Sequence, residues 1–326
     1  MSKLRNLLVA VATVAACLVC LAWLVGRITS DRYGWTQWLL WIPTPGVMVA
    51  AGVGLAVACR PSGTARPHRR RVIVWAAIGA AIIVYFAVFE HRFLPRPTGG
   101  EGALRLVHGS VQAGGRQVVS RFGESMIEID GDVTIINSVL PNRGVGRLRD
   151  QLQGLGTSAV AWPFVLITRL PILEARPLVA NAELRVAVFR VDATSTLGRI
   201  LTVYAVDLPS EPRRPRAEVA RDLRRILDQV VSEPPDVVVG DFNMTRSSAA
   251  MAIAFPDLEH AYDQAGWGYA ASFRRGFPLY HIDHTLIDTT VRAVGYELVD
   301  IGMGRHLVQV VELVGAGFSG TILSAP

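Results

Sequence analysis

The chain has 326 residues, a hydrophobic content of 51% and a formal net charge of +6. Its mean hydropathy of +0.34 is high for a water-soluble protein, and the apolar excess lies before residue 92. This distribution argues against a single soluble domain and favours a membrane segment followed by one globular domain. The positive charge favours an anionic neighbour, either a membrane surface or a phosphorylated substrate.

Three apolar segments near the N-terminus are each close to the roughly 20 residues needed to cross a bilayer core. They are Leu7–Val25, Trp38–Ala58 and Val72–Phe89. Three segments in succession favour a retained anchor over a cleaved signal peptide. Pro43 and Pro45 are expected to kink the second helix near its start. We therefore predict three transmembrane helices within residues 1–91, with the lipid bilayer as a partner of the chain.

The loops between these segments differ in charge. The second loop carries five arginines, which are Arg60, Arg66, Arg69, Arg70 and Arg71. The first loop has only Arg27 and Arg32, offset by Asp31, whereas Lys3 and Arg5 precede the first segment. The positive-inside rule then places the N-terminus and the second loop in the cytoplasm. With three crossings, we predict a multi-pass cell-membrane protein whose C-terminal domain is extracytoplasmic.

After a Pro- and Gly-rich linker at residues 92–102, short apolar runs alternate with helical patterns through residues 103–316, and a tail covers 317–326. Runs typical of strands are Leu104–His108, Asp132–Ile136, Phe164–Thr168, Glu183–Val191, Ile200–Val206, Asp236–Gly240, His281–Ile287 and Leu307–Val314. Apolar residues between Val219 and Val230 share one face of a helix. This alternation predicts a layered α/β domain.

Two of these runs deliver polar residues at their ends. The sequence Asp236-Val-Val-Val-Gly-Asp-Phe-Asn243 is an apolar run that ends in an acid and an amide, and His281-Ile-Asp-His284 opens another run. His306 precedes the last run. Because α/β folds place their chemistry on loops at strand ends, these residues are candidates for a functional site.

The order of these strings resembles the endonuclease/exonuclease/phosphatase family over about residues 103–314. The resemblance rests on Gly-Asp-Phe-Asn243 followed by Ile-Asp-His284, together with strings that are similar to the family's opening, second and middle strands. It implies a four-layered α/β sandwich, in which two mixed sheets are flanked by helices. It also implies hydrolysis of phosphoesters with a divalent metal, usually Mg²⁺.

The resemblance assigns roles to four residues. Asp241 would orient or deprotonate the attacking water, and Asn243 would hold a phosphate oxygen. Asp283 would fix the tautomer of His306, which would stabilise the transition state. Asp241 and Asn243 could instead cap a loop after a strand.

The chain departs from the family pattern at four positions. Ser110 stands where the family has Asn, and Ser138 stands where it has a metal-binding Glu. Asp207 replaces a His, and Arg305 replaces an Asp. Asp207 is a candidate for a relocated metal ligand, and Arg305 is a candidate to grip phosphate directly. The metal ligands therefore remain undefined by the sequence.

Two classes of function stay open. The first is an extracytoplasmic phosphoester hydrolase acting on lipid-linked or surface phosphates. The second is a catalytically impaired pseudoenzyme that binds a phosphorylated ligand or a protein partner. A nuclease is a further alternative, but nucleic acid is the less favoured partner because the anchor would hold the domain at a membrane surface. The sequence leaves the protein partner and the phosphorylated molecule unidentified.

Overall fold

The computed structural model describes residues 2–60, 69–93, 99–100, 102–111, 116–137, 154, 156–181, 183–211, 213–230 and 233–317. Ser138, most of the predicted tail and part of the predicted linker lie outside these residues. The chain divides into two compact units. The first consists of Met1–Phe93 with the short segments Arg213–Ala217 and Ser247–Ala249, and the second contains Leu94–Pro212, Glu218–Arg246 and Ala250–Pro326.

Where the structure describes it, the N-terminal part of the first unit contains four helices. They are α1 (Ser2–Thr29), α2 (Thr36–Leu40), α3 (Thr44–Ala58) and α4 (Arg69–Tyr85), and α4 continues as a π-helical segment, Phe86–His91. Two apolar helices are long enough to cross a membrane within the described residues. Lys3–Thr29 has 27 residues and a mean hydropathy of 2.7, and Arg69–His91 has 23 residues and 2.6.

The prediction of three transmembrane helices is not confirmed, because the second segment is broken. Helix α2 ends at Leu40, and α3 begins at Thr44 after Pro43, whose backbone is extended at φ −73° and ψ 133°. A proline lacks the N–H that would continue a helix and pushes the preceding residue toward extended backbone. The 15 residues of α3 span about 22 Å at about 1.5 Å each, which is short of the bilayer's roughly 30 Å core. The expected kink is therefore a break.

Polar contacts join three of these helices at one end. The Arg27 guanidinium near the end of α1 lies 3.0 Å from the Glu90 carboxylate at the end of the π-helical segment. The Thr44 hydroxyl at the start of α3 donates to the same carboxylate oxygen at 2.7 Å. Helices α1 and α4 therefore run parallel to each other, and α3 runs antiparallel to both. A Cβ at Gly54 of α3 would lie 2.5 Å from the Trp75 ring of α4, so this glycine permits close packing.

The described residues of the second unit form two six-stranded sheets. The strands are β1 (Leu104–Ser110), β2 (Val133–Asn137), β3 (Thr157–Ala161), β4 (Phe164–Thr168), β5 (Ile172–Ala180), β6 (Arg185–Ala193), β7 (Arg199–Asp207), β8 (Val237–Asp241), β9 (Glu259–His260), β10 (Asp283–Ile287), β11 (Val291–Val299) and β12 (Val308–Gly315). The first sheet has the order β11-β12-β1-β2-β4-β3, and the second has the order β5-β6-β7-β8-β10-β9. Both are mixed, since β1–β2 and β7–β8 are parallel pairs among antiparallel ones.

Three apolar clusters order the layers of this unit. The two sheets pack face to face through a core that includes Leu106 and Phe164 from the first sheet and Phe189 from the second. Helix α5 (Arg116–Ile129) places Phe122 against the outer face of the first sheet. Helix α7 (Arg216–Val230) places Leu223 against the outer face of the second. The short helices are α6 (Thr194–Leu197), α8 (Ala249–Ala254) and α9 (Ala261–Ala265).

The predicted α/β class is therefore confirmed as two mixed sheets with helices. All eight predicted strands are present with ends shifted by at most about two residues, and the predicted helix after Val219 is α7. The sequence pattern does not predict the strands β3, β5, β9 and β11 or the helices α5, α6, α8 and α9.

Candidate functional site

The register of the second sheet aligns three carboxylates across neighbouring strands. Asp207 at the end of β7 pairs with Asp241 at the end of β8. Asp241 pairs in turn with Asp283 at the start of the antiparallel strand β10. The three acids therefore form a row at one edge of the sheet, and Asp241 and Asp283 are buried there.

The turn after β8 explains the residues that surround Asp241. Gly240 has φ +154°, and a Cβ at this position would lie 1.9 Å from the Val206 carbonyl oxygen, so only glycine fits. The Asn243 backbone N–H donates to the Asp241 carboxylate at 3.0 Å, and the Asn243 side-chain amide donates to the Leu208 carbonyl at 2.8 Å. These two hydrogen bonds are of the kind that cap a loop after a strand, which is the alternative role of Asp241 and Asn243.

His306 joins the two buried acids into one cluster. Its Nδ1 lies 2.8 Å from Asp283 Oδ2, and its Nε2 lies 3.9 Å from Asp241 Oδ2. The Ser272 hydroxyl donates to the same Asp283 oxygen at 2.5 Å. One ligand atom from each of Asp241, Asp283 and His306 lies within 4.8 Å of the others.

The proximity of these groups changes their acidity. Burial alone would lower the pKa of His306, but the charge and hydrogen bond of Asp283 raise that pKa to about 9. Burial and the neighbouring Asp283 charge raise the pKa of Asp241 well above its usual range. Burial opposes ionisation of Asp283 as well, but the His306 charge and hydrogen bond hold the pKa of Asp283 below its usual value. The cluster is therefore an imidazolium between two unequal carboxyl groups.

The remaining predicted site residues lie in different surroundings. The Asp207 carboxylate accepts a hydrogen bond from Arg185 at 3.1 Å, so part of its charge is already balanced. Arg305 is exposed, although the adjacent His306 is buried. Ser110 is buried at the end of β1, and its hydroxyl has no hydrogen-bond partner among the residues that the structure describes. Ser138 lies outside the described residues. The functional roles assigned to these residues stay predictions.

Two site residues were missed by the sequence reading. Ser272 is fully buried in the loop before β10, with no motif around it. Asn137 ends β2 and pairs with Ser110, whereas the family resemblance points to its neighbour Ser138. A polar residue that ends a buried apolar strand is the signal that would have found Asn137.

The donor atoms fit a hard divalent cation. The Asp283 Oδ1 atom is buried and has no hydrogen-bond partner within the described part of the chain, which leaves an unsatisfied acceptor in the cluster. The two carboxylates bring more negative charge than one imidazolium balances. Asp241 and Asp283 supply the oxygen ligands that Mg²⁺ and similar ions prefer, but this donor set does not select one metal.

The class of protein is an α/β protein of two packed mixed sheets, with a buried acid–histidine cluster at the strand ends. The chain belongs to the endonuclease/exonuclease/phosphatase family, whose model matches residues 125–317. The expected family membership is thereby confirmed. No significantly similar sequence is found among curated proteins.

Solved structures share the fold at low sequence identity. A mannosyl-6-phosphatase from Bacteroides thetaiotaomicron VPI-5482 has a TM-score of 0.53 and 13% identity, over 65% of this chain and 99% of that one. A humanised TDP2 of D. rerio with 14 mutations has a TM-score of 0.52 and 13% identity, over 65% of this chain and 99% of that one. An endonuclease/exonuclease/phosphatase family protein from Bacteroides thetaiotaomicron has a TM-score of 0.52 and 12% identity, over 67% of this chain and 98% of that one. At these identities the similarity establishes the fold alone.

The cluster predicts how the pKa of His306 depends on Asp283. In Asp283→Asn, the imidazole stays buried but loses the charge that raises its pKa, so we expect that pKa to fall by more than one unit from about 9. The measurement is an NMR titration of the histidine rings in the full-length protein. A wild-type His306 that titrates near its ordinary value would contradict the account.

His284 is the internal control for this titration. Burial lowers its pKa to about 4, and its Nε2 bonds to the Met244 carbonyl at 2.9 Å, so it should stay neutral above pH 5 in both proteins. The raised pKa of His306 also fixes the sign of its effect on stability. That contribution is complete below the unfolded value of about 6.5 and is lost as the pH rises through about 9.

Proposed function

We propose that this protein is a membrane-anchored phosphoester hydrolase that acts through Asp241, Asp283 and His306. The observation that carries the proposal is the buried contact between Asp283 and His306, with His306 Nε2 directed toward Asp241. Phosphoryl transfer depends on positioned donors and charge stabilisation more than on covalent chemistry. The cluster supplies both, since the positively charged His306 ring can donate a hydrogen bond and lies beside Asp241, a carboxyl group of raised pKa.

Each residue has a defined part in the reaction. Asp241 accepts a proton from water as the water oxygen forms a bond to phosphorus and the bond to the leaving oxygen breaks. His306 donates a hydrogen bond to a phosphoryl oxygen, and Asp283 keeps its ring in the required orientation. Asn243 positions the Asp241 carboxylate through its backbone N–H. The leaving oxygen takes up a proton from solvent. The products are an alcohol and phosphate from a phosphomonoester, an alcohol and a phosphomonoester from a phosphodiester, or phosphate and a lipid monophosphate from a lipid pyrophosphate.

A divalent cation, with Mg²⁺ as the expected ion, would be held by the carboxylates of Asp241 and Asp283. When bound, it would neutralise charge on the phosphoryl oxygens. The unpartnered Oδ1 of Asp283 supports this assignment. Asp207 contributes to the negative potential of the site and raises the pKa of Asp241, but its hydrogen bond to Arg185 disfavours a direct ligand role.

The second candidate function is a pseudoenzyme that binds a phosphorylated ligand without turnover. The partial neutralisation of Asp207 by Arg185 favours it, because fewer free carboxylates remain for a metal. Ser110 in place of an amide favours it as well, since a hydroxyl is a weaker ligand than the family's side chain. The two functions differ in one observable, which is turnover.

The arrangement of the apolar helices supports a membrane anchor with an odd number of crossings. Two parallel helices of spanning length, joined at one end by Arg27 and Glu90, need a return path through the bilayer. Helix α3 lies on that path, and flanking residues or local thinning of the bilayer compensate for its short length. With the arginine-rich loop in the cytoplasm, the catalytic domain lies outside the cell.

Location favours a lipid phosphate or pyrophosphate as the substrate. A linker of about ten residues reaches only about 30 Å when extended, so the domain samples the membrane surface. Tethering raises the effective concentration of substrates in that surface. Arg305 is exposed next to His306 and is the residue we assign to the anionic headgroup.

Site substitutions test the proposed chemistry. Asp241→Asn and His306→Ala should each lower the rate of phosphate release by about a hundredfold or more, because each removes a group that acts in the transition state. The measurement compares phosphatidic acid and lipid pyrophosphates with nicking of plasmid DNA. Asp228→Asn, at an exposed position of α7, is the matched control and should keep full activity.

The pattern of substrates decides between the candidate functions. Release from lipids with intact plasmid supports the proposal, and DNA cleavage with inert lipids identifies a nuclease instead. Silence on both substrates, in a folded protein that still binds phosphate, identifies the pseudoenzyme. Unchanged turnover in Asp241→Asn would remove the assignment of roles.

Protease accessibility tests the proposed orientation. Protease added to intact spheroplasts should digest the region after residue 103 and spare the N-terminal helices, because the domain faces outward. The readout is immunoblotting with tags at both ends. If the domain is cleaved only after lysis, the orientation is reversed.

A further inference from the structure

Two buried polar side chains lie at the ends of β1 and β2. Ser110 and Asn137 face each other in the parallel register, with relative exposures of 4% and 0%. Among the residues that the structure describes, the Ser110 hydroxyl and the Asn137 amide nitrogen have no hydrogen-bond partner. Burying an unsatisfied polar group costs on the order of 1–3 kcal/mol, so two such groups at one edge of the sheet indicate a ligand.

This edge belongs to the site region. A Cβ placed at Gly304, two residues before His306, would lie 3.6 Å from the Ser110 carbonyl oxygen. His108, two residues before Ser110 on β1, is close enough to Asp283 and His306 for their charges to act on its ring. Ser110 and Asn137 therefore lie on the first sheet, near the acid–histidine cluster.

A chain of buried hydrogen bonds fixes the state of His108. The hydroxyls of Thr285 and Tyr296 each donate to Gln309 Oε1 at 3.2 Å. The Gln309 amide nitrogen, which has only protons to offer, then donates to His108 Nδ1 at 3.2 Å. Nδ1 is consequently an acceptor, and the ring proton resides on Nε2. Burial lowers the pKa of His108 to about 4, which agrees with this neutral form.

The same chain determines how Asn137 is oriented. His108 Nε2 is buried, and the side chain of Asn137 lies within hydrogen-bonding reach of this ring. The Nε2–H group requires an acceptor, which Asn137 provides through Oδ1. The Asn137 NH₂ group is then left as a donor at the strand end, on the residue that pairs with Ser110 in the register. An amide NH₂ and a hydroxyl can both donate to an anion, whereas the NH₂ group has no lone pair to offer a metal ion.

We propose that the Asn137 amide and the Ser110 hydroxyl form an oxyanion pocket that binds a phosphoryl oxygen without a metal. The pocket rests on the proposed function, because it binds the same phosphoryl group that Asp241 and His306 act on. It adds a substrate-binding residue, Asn137, on the sheet opposite to Asp241. Its chemistry fits any tetrahedral oxyanion that carries terminal oxygens, whether from a lipid headgroup or from free phosphate.

The test is the binding of inorganic phosphate to the full-length protein in detergent with EDTA, measured by ³¹P NMR. The wild type should bind phosphate, and Asn137→Asp should weaken binding at least tenfold, because a carboxylate replaces the donor. Gln229→Glu, an equal change of charge on an exposed side chain, should leave the affinity unchanged. Ser110→Ala should weaken binding several-fold and guards against misfolding of the first variant.

Two results would overturn the pocket. One is a wild type that fails to bind phosphate in EDTA, and the other is an Asn137→Asp variant, folded by circular dichroism, that binds phosphate as tightly as the wild type. Because the assay needs no turnover, its outcome is separate from that of the proposed function. The wild type could bind phosphate without metal, lose that binding in Asn137→Asp, and hydrolyse none of the phosphoesters. That result would support the pocket and reject the hydrolase.

Discussion

The buried contact between His306 and Asp283 is the interaction on which the site depends. An imidazolium without a counter-ion would be costly at this depth, and so would a lone carboxylate. Together they offset each other, and the pair raises the pKa of His306 to about 9 while lowering that of Asp283. Asp241 is left as the less readily ionised acid of the cluster, because burial and the Asp283 charge both raise its pKa. One short hydrogen bond thereby separates the roles of two chemically identical carboxyl groups.

The fold makes this contact possible through strand register. Asp241 and Asp283 are cross-strand partners in antiparallel strands, so a shift of one residue would turn one of them to the other face. Gly240 allows β8 to pass within contact of the Val206 carbonyl immediately before Asp241. His306 arrives from the other sheet, just before β12. The face-to-face packing of the sheets is therefore a requirement for the site and for the core alike.

Much of the fold could be predicted from the sequence, because the central strands are continuous apolar runs that leave little ambiguity. The missed strands break that pattern. Strand β5 lies at a sheet edge, where Pro177 and alternating polar residues are tolerated, so it reads as a loop. The second apolar segment failed for the opposite reason, since its hydropathy suggested a span that Pro43 interrupts. Hydropathy records composition, whereas the helix break depends on a missing backbone donor.

The candidate site was predictable where a residue type and its strand end coincide. Asp241, Asp283 and His306 were named from such positions, and the structure brings them together. Ser272 and Asn137 were not found, because their importance depends on contacts from distant parts of the chain. The orientation of the Asn137 amide is set by Gln309 and His108, which are distant in the chain and which no local pattern reveals.

The most direct test of the account is hydrolysis of a lipid phosphate by the full-length protein in H₂¹⁸O, with mass spectrometry of both products. The account predicts that one ¹⁸O atom enters the released phosphate, because water held by Asp241 attacks phosphorus. Label in the alcohol instead would show cleavage of the carbon–oxygen bond and would contradict the assigned mechanism.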